Sequence, residues 1–354
     1  MIRQASGDPM KPELGAPIRS SWVDAAKGIG IILVVYGHVA RGLESAGIIP
    51  DSTGFRLVDS VIYSFHMPLF FFLSGIFLSS SLERKGFRGL VLGKAETLIY
   101  PYVVWSLLQG SLEAALSRYT NGGIGFDDVL SLVWKPRAQF WFLYVLFFTF
   151  VISGAAFSAR TSVKIAYSLL AIALHMASST MPDVWIFKPL MVNSVFFVAG
   201  SWFSRIKDFI SSNSSRWITL SAIAAIGSQY LIHATFDQTY TDSGPLTLLA
   251  GVSCISTITA ALMRLESGVP RWLTLIGASS MSIFLMHVLA GSGTRIVLSR
   301  FLGIESIGVH IVAGLTAGIA LPVIAERLLR RFKLGFVLKY PTGSKPQRSN
   351  RGFP

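Results

Sequence analysis

Charge is scarce in this sequence. Of its 354 residues only 14% are Asp, Glu, Lys or Arg, where a soluble domain uses roughly 25% to cover its surface. Cysteine is scarcer still. Cys254 is the single one, so no intrachain disulfide can form and a disulfide-built secreted fold is excluded. No polar stretch is long enough for a soluble domain, the longest loop being about residues 116–137, and no internal repeat is visible. There is no Gly-x-Ser-x-Gly elbow for a serine nucleophile, and no glycine-rich phosphate loop to indicate ATP or NAD. What is abundant is apolar: 52% hydrophobic residues, 25 Phe and 8 Trp, with a mean hydropathy of +0.57. The chain reads as an all-α integral membrane protein.

A spanning helix needs about 20 mostly apolar residues. On that basis ten spans are expected, at 21–41, 58–81, 91–115, 138–158, 163–180, 184–204, 216–234, 244–263, 272–291 and 306–328. Glu96 and Pro101 interrupt the third, and Met181-Pro182-Asp183 alone separates the fifth from the sixth. Residues 1–19, polar and holding Pro9, Pro12 and Pro17, read as a disordered cytoplasmic tail. The apolar run Ile29–Ala40 lacks a small-x-small cleavage site and contains His38, so it belongs to a membrane helix rather than a signal peptide. The membrane domain is then residues 20–332, followed by a basic cytoplasmic tail at 333–354.

The net charge of +13 follows the membrane topology. With both termini cytoplasmic, the inner segments hold 22 of the 31 Lys and Arg residues, the outer segments hold 8, and Lys27 lies inside helix 1. That asymmetry matches the positive-inside rule. The basic tail is an anchor for anionic lipid, and no nucleic-acid partner is implied.

Ionisable side chains at membrane depth are costly and mark function or pairing. Asp24 and Lys27 are spaced i,i+3 and can pair on one helix face. Lys27 and His38 are eleven residues apart, which leaves ~20° of angular offset and ~16 Å of rise. One stripe of helix 1 therefore carries a cation near the cytoplasmic end and an imidazole in the outer half. His66, two residues before Pro68, and His287 count to the same outer depth. Pro68 lacks an N–H and is expected to free a backbone carbonyl within helix 2. A neutral imidazole is the usual base for activating a sugar hydroxyl. A metal fits less well, because no cysteine accompanies the histidines and no His-x-x-x-His pair exists. His175 and His233 read as structural or interfacial, and His310 stays unassigned. Ser74 before Gly75 reads as a close helix-packing position.

Several of these residues fall in motifs. Trp22-x-Asp24-x-x-Lys27-Gly28-Ile29-Gly30-Ile31-Ile32 with Gly37-His38, Ser64-Phe65-His66-Met67-Pro68-Leu69-Phe70-Phe71 and Trp141-Phe142-Leu143 together resemble the membrane acyltransferase 3 family. The resemblance is strongest to its branch of fucose 4-O-acetylase-like, surface-polysaccharide O-acetyltransferases. Gly277 with Ser282-Ile283-Phe284-Leu285-Met286-His287 fits the family's C-terminal part, and the likeness runs from about Ser21 to Arg330. It implies transfer of an acyl group, usually acetyl, from cytoplasmic acyl-CoA to a hydroxyl of a cell-surface glycan or lipid-linked sugar. It also implies a ten-helix core in a bacterial inner membrane. Two departures stand out: many members have Arg where this chain has Lys27, and no Glu follows Trp141-Phe-Leu-Tyr144.

Resemblance and geometry meet in one expectation. The ~16 Å from Lys27 to His38 is comparable to the pantetheine arm of CoA. Lys27, oriented by Asp24, and the basic residues Arg84, Lys85 and Arg88 are expected at the nucleotide end. His38 is the expected base, assisted by His66 or His287, and Trp141 and Tyr144 are expected to floor a sugar subsite. Tyr100 and Pro101 are expected to kink helix 3. A proton-coupled transporter or exporter of a sugar-like metabolite is the competing reading, since buried His, Lys and Asp serve proton coupling equally well. A non-catalytic scaffold leaves the histidines idle. Acceptor identity and self-association into a homo-oligomer are left open by the residues.

Overall fold

The structure, a computed structural model, describes residues 21–115, 131, 135–136, 138–182, 186–265 and 268–341. Expectations for the tail at 1–19, most of the loop at 116–137 and the chain beyond 341 lie outside the described residues. Among those described, the regular structure is entirely helical. The helices are α1 (Ser21–Glu44), α2 (Thr53–Tyr63), α3 (His66–Gly75), α4 (Leu78–Lys94), α5 (Tyr100–Ala115), α6 (Trp141–Ser158) and α7 (Thr161–Ala177). There follow α8 (Phe187–Trp202), α9 (Lys207–Ser212), α10 (Ser214–Tyr230), α11 (Pro245–Leu265), α12 (Arg271–Ala278), α13 (Ser280–Ile296) and α14 (Ile307–Arg331).

Helix is found in each of the ten stretches where a span was expected. Among the described residues six segments have both the length and the hydropathy to cross a membrane: Ser21–Glu44, Thr53–Gly75, Ala138–Ser158, Pro245–Leu265, Ser280–Phe301 and Ile307–Arg331. Of the others, α7 and α10 have 17 residues and α8 has 16, which at 1.5 Å per residue gives about 25 Å. Their faces turned away from neighbours are apolar, with Leu169, Leu220 and Ile226 well exposed. A soluble helix would place charge there.

α1 is the hub, packing against α3, α11, α12, α13 and α14. Two crossings depend on glycine. A side-chain carbon at Gly277 of α12 would overlap the Asp24 carbonyl of α1, and one at Gly28 of α1 would overlap the carbonyl of Leu273 in α12. α3 and α8 meet in the same reciprocal way, Gly75 lying on the backbone of Phe197 and Gly200 on that of Phe72.

Helix 2 departs from the expected single kinked span. It breaks between Tyr63 and His66, and Pro68 stands third in the new helix α3. A proline in the first turn costs no ladder bond, because the N–H there is unpaired anyway. Helix 9 is also split, at Ser279, into α12 and α13. Near Pro101 the ladder widens into a π-helical turn, Ala95–Ile99, with Tyr100 N–H donating to the Ala95 carbonyl. Pro101 cannot donate to the carbonyl four residues back, and the π turn absorbs the disturbance. The first residues of the C-terminal segment pack onto α5: Trp105 Nε1–H donates to the Val337 carbonyl at 2.9 Å, and Tyr340 lies edge-on to Tyr100 at 5.2 Å.

Candidate functional site

The last turns of α1 and the middle of α13 bring His38 and His287 together, ring centroids 5.0 Å apart in an edge-to-face arrangement. His287 is buried. Its Nδ1–H is shared between the carbonyls of Ile283 at 3.0 Å and Phe284 at 2.9 Å, which leaves the lone pair on Nε2. That nitrogen is buried and has no partner. An unpaired buried polar atom costs about 1–3 kcal/mol, so this nitrogen calls for a water or ligand donor. Neither ring nitrogen of His38 is tied to a protein group among the described residues. The two histidines border a small cleft of about 20 Å³, room for a single water, whose wall also includes Gly42, Arg295 and His310.

His66 comes from the start of α3 and sits apart from that cleft. It interacts electrostatically with His38, and its Nδ1–H caps the frayed end of α2 by donating to the Ile62 carbonyl at 2.8 Å, satisfying a carbonyl a helix end leaves free. The Tyr63 ring stands edge-on against it at 4.4 Å. Behind Tyr63 lies the Arg41 guanidinium, 3.4 Å from the ring centroid. Arg41 forms a two-pronged pair with Asp59, at 2.8 and 2.7 Å, and reaches Tyr240 Oη at 3.0 Å. Tyr240 N–H in turn donates to Ser60 Oγ at 2.8 Å. Arg41 thus holds the loop before α11 against α2 and backs the ring on which His66 rests. Sequence reasoning had counted Arg41 only as an outer charge.

Beside Tyr63 opens a larger groove, about 1,360 Å³ including open space, walled by Met67, Pro68, Trp141, Lys188 and Asn193 among others. Trp141 lines it. Tyr144 does not, and instead packs on Tyr102 and Phe148 at 5.2 and 5.0 Å.

The opposite end of α1 carries the cations. Lys27 pairs with Asp24 at 3.5 Å. Lys85 and Lys27 are charged neighbours of Lys94, whose Nζ sits 3.8 Å over the Phe150 ring. Lys94 has no carboxylate within ion-pair distance among the described residues. It is the member of this cluster that sequence reasoning missed, having counted it with the basic loop. Arg84 donates to the Ser80 carbonyl at 3.1 Å on the exposed side of α4, and Arg88 is exposed, so neither is drawn into the cluster. Lys27 lines neither the cleft nor the groove. Among the described residues no group of three or more His, Cys, Asp or Glu is placed to hold a metal ion.

The family model described as an acyltransferase domain matches residues 20–327. The chain is 33% identical over 129 residues to nodulation protein NolL of Mesorhizobium japonicum, covering 36% of this chain and 34% of the relative. It is 30% identical over 197 residues to NolL of Sinorhizobium fredii, covering 54% of this chain and 50% of the relative. The chain therefore spans half or less of the curated relatives it matches. No solved structure matches.

Proposed function

The chain belongs to the acyltransferase 3 family, and from that premise we propose that it moves an acyl group, acetyl in the simplest case, from cytoplasmic acyl-CoA to a hydroxyl of a cell-surface glycan or glycolipid. The bundle sits in the inner membrane with ten crossings and both termini cytoplasmic. The CoA phosphates bind at the Lys27, Lys85 and Lys94 end, with Arg84 and Arg88 adding long-range attraction. The thioester reaches the His38 end, ~16 Å along α1.

His38 takes the acceptor hydroxyl's proton as its oxygen attacks the thioester carbonyl carbon. The tetrahedral intermediate collapses, the C–S bond breaks, and the departing thiolate receives the proton held by the His38 imidazolium. The products are the O-acyl sugar and free CoA, with no net proton change. Nε2 of His287, held in one tautomer by two backbone carbonyls, accepts a hydrogen bond from the incoming group. His66, backed by Tyr63 and Arg41, supports His38 from the other side. Trp141 offers a face to the sugar rings of the acceptor, as aromatic walls commonly do in ligand grooves.

The observation that carries this reading is the His38–His287 contact, with its buried unpartnered nitrogen, on the helix whose other end bears the cationic cluster. The test is labelled acetyl-CoA with the full-length protein in detergent. His38→Ala is expected to lower donor hydrolysis and acetyl transfer by about 10²–10⁴-fold, the usual worth of a general base, with helicity and elution volume unchanged. Unchanged turnover in that variant defeats the assignment. Counterflow of a sugar in proteoliposomes without acyl-CoA would instead favour a transporter.

A further inference from the structure

On the outside of the bundle, away from the histidines, α12 and α14 enclose a crevice of about 480 Å³. Its walls are Leu275 and Ile276 from α12 and Ile319, Val323 and Ile324 from α14. Trp272, Leu275 and Ile324 are each half or more exposed, so nothing among the described residues covers this apolar surface. A contiguous uncovered patch of this kind marks a contact with lipid or a partner.

The crevice is charged at one end only. Gly28 of α1 lies against Leu273, which fixes the level of its neighbour Trp272. Gly314 and Gly318 of α14 lie against Val39 and Val35 of α1, so α14 runs antiparallel to α1, and Glu326, Arg327 and Arg330 come level with Asp24 and Lys27. All three line the crevice together with Trp272. Arg330 donates from Nε and Nη2 to Glu326 Oε1, at 3.0 and 2.8 Å. The exposed Arg327 has no carboxylate within ion-pair distance among the described residues. Two guanidiniums against one carboxylate leave this mouth positive. From it the apolar walls run from Trp272 to Ser279 and from Arg327 back to Ile319, a rise of about 10–12 Å. Half of a bilayer's hydrocarbon is ~15 Å deep.

A soluble anion would meet the arginines and leave the walls bare, and a neutral lipid would fill the walls and leave the arginines unanswered. The combination selects an anion that carries hydrocarbon. We propose that the α12–α14 crevice binds one anionic phospholipid. Its phosphate pairs with Arg327 and Arg330, its glycerol lies beside the Trp272 indole, and an acyl chain runs along Leu275, Ile319, Val323 and Ile324. The opposite face of α12 carries Gly277, in contact with the Asp24 backbone, so the lipid braces α12 against the Asp24 end of α1. The site stands apart from the acyl-transfer reading, and its test involves no acyl donor.

Brominated acyl chains quench tryptophan on contact, and Trp272 reports this site as the difference between wild type and Trp272→Phe. The full-length protein in neutral detergent is titrated with phosphatidylglycerol or phosphatidylcholine carrying the same brominated chains. Half-maximal quenching of Trp272 is expected at about tenfold or more lower concentration of phosphatidylglycerol, the combined scale of two arginines at an anionic headgroup. Arg327→Gln together with Arg330→Gln is expected to bring the two lipids to parity. Ala320→Phe keeps both arginines but fills the crevice that Ala320 lines, and it is expected to weaken both lipids severalfold. Helicity and elution volume verify that the variants are folded.

Equal quenching by the two lipids in the wild type overturns the site, as does a phosphatidylglycerol preference that survives loss of both arginines. sn-Glycerol 3-phosphate carries the phosphate without chains and is expected not to compete at equal concentration. Displacement of the lipid by it makes the mouth a simple anion site and overturns the proposal. A Trp272 that neither lipid quenches does the same, and elution as a dimer would then assign this face to a second copy of the chain.

Discussion

Replacing Gly277 by alanine tests the tightest contact in the bundle. The new Cβ would lie 2.6 Å from the Asp24 carbonyl carbon and 2.8 Å from the Gly28 nitrogen, where real contacts essentially never fall below 3.0 Å. Both obstacles are backbone, so neither can rotate aside, and α1 and α12 must separate by about 1 Å. Overpacking of this kind costs about 1–3 kcal/mol. The gain in helix propensity on leaving glycine is at most about 1 kcal/mol and is smaller here, at the last turn of α12. The expected net is a loss of about 2 kcal/mol. Gly227 of α10 is the control, since a Cβ there meets nothing within 4 Å. Gly227→Ala keeps the propensity gain and is expected to stabilise by about 0.5–1 kcal/mol. The assay is a denaturing-detergent titration of both variants in mixed micelles, followed by far-UV dichroism. A Gly277→Ala protein at least as stable as wild type, or two variants moving in the same direction, refutes the close-crossing argument.

Lys94→Gln is expected to raise KM for acetyl-CoA roughly tenfold with kcat nearly unchanged, because a phosphate contact made equally in ground and transition states affects binding alone; steady-state kinetics decides it. Arg41→Gln and Asp59→Asn, combined in a double-mutant cycle of unfolding midpoints, should show coupling of about 1–2 kcal/mol. The pair is partly exposed (36% and 16% for the two side chains), which places it between surface and buried ion pairs. Pro68→Ala is expected to change stability by no more than about 0.5 kcal/mol, since a first-turn proline forfeits no hydrogen bond; a larger loss in the same titration would show that the ring itself holds the α2–α3 break.

Much of this architecture was legible because the residues carrying it have local signals. Apolar runs located the helical stretches, and depth counting placed His38, His66 and His287 at one level; of the three, His38 and His287 meet ring to ring at 5.0 Å, while His66 lies apart from their cleft. Asp24 and Lys27 were a helical i,i+3 pair and remain one. Other features have no local signal. Arg41 meets partners 18 and 199 residues away, so its role in backing Tyr63 could not be seen in any sequence window. Lys94 was counted as one more inner-loop charge, whereas its proximity to Lys27 and Phe150 comes from the packing of α1, α4 and α6. Pro68 was read as a mid-helix defect because nothing in the apolar run shows that one helix ends at Tyr63 and the next begins at His66. Tyr144 shares a helix with Trp141, but three residues of turn carry it to a different neighbour, Tyr102.

The central place of α1 also has a consequence in time. Its partners α12, α13 and α14 begin at Arg271, more than two hundred residues after α1 ends at Glu44. At about 5–20 residues per second, a ribosome needs roughly 15–60 s to deliver all three, the last ending at Arg331. Through that interval the nascent chain must keep an acid, an amine and an imidazole on one newly inserted helix without their final surroundings. The factors that receive the growing polypeptide must therefore shelter this first segment until the last three close around it.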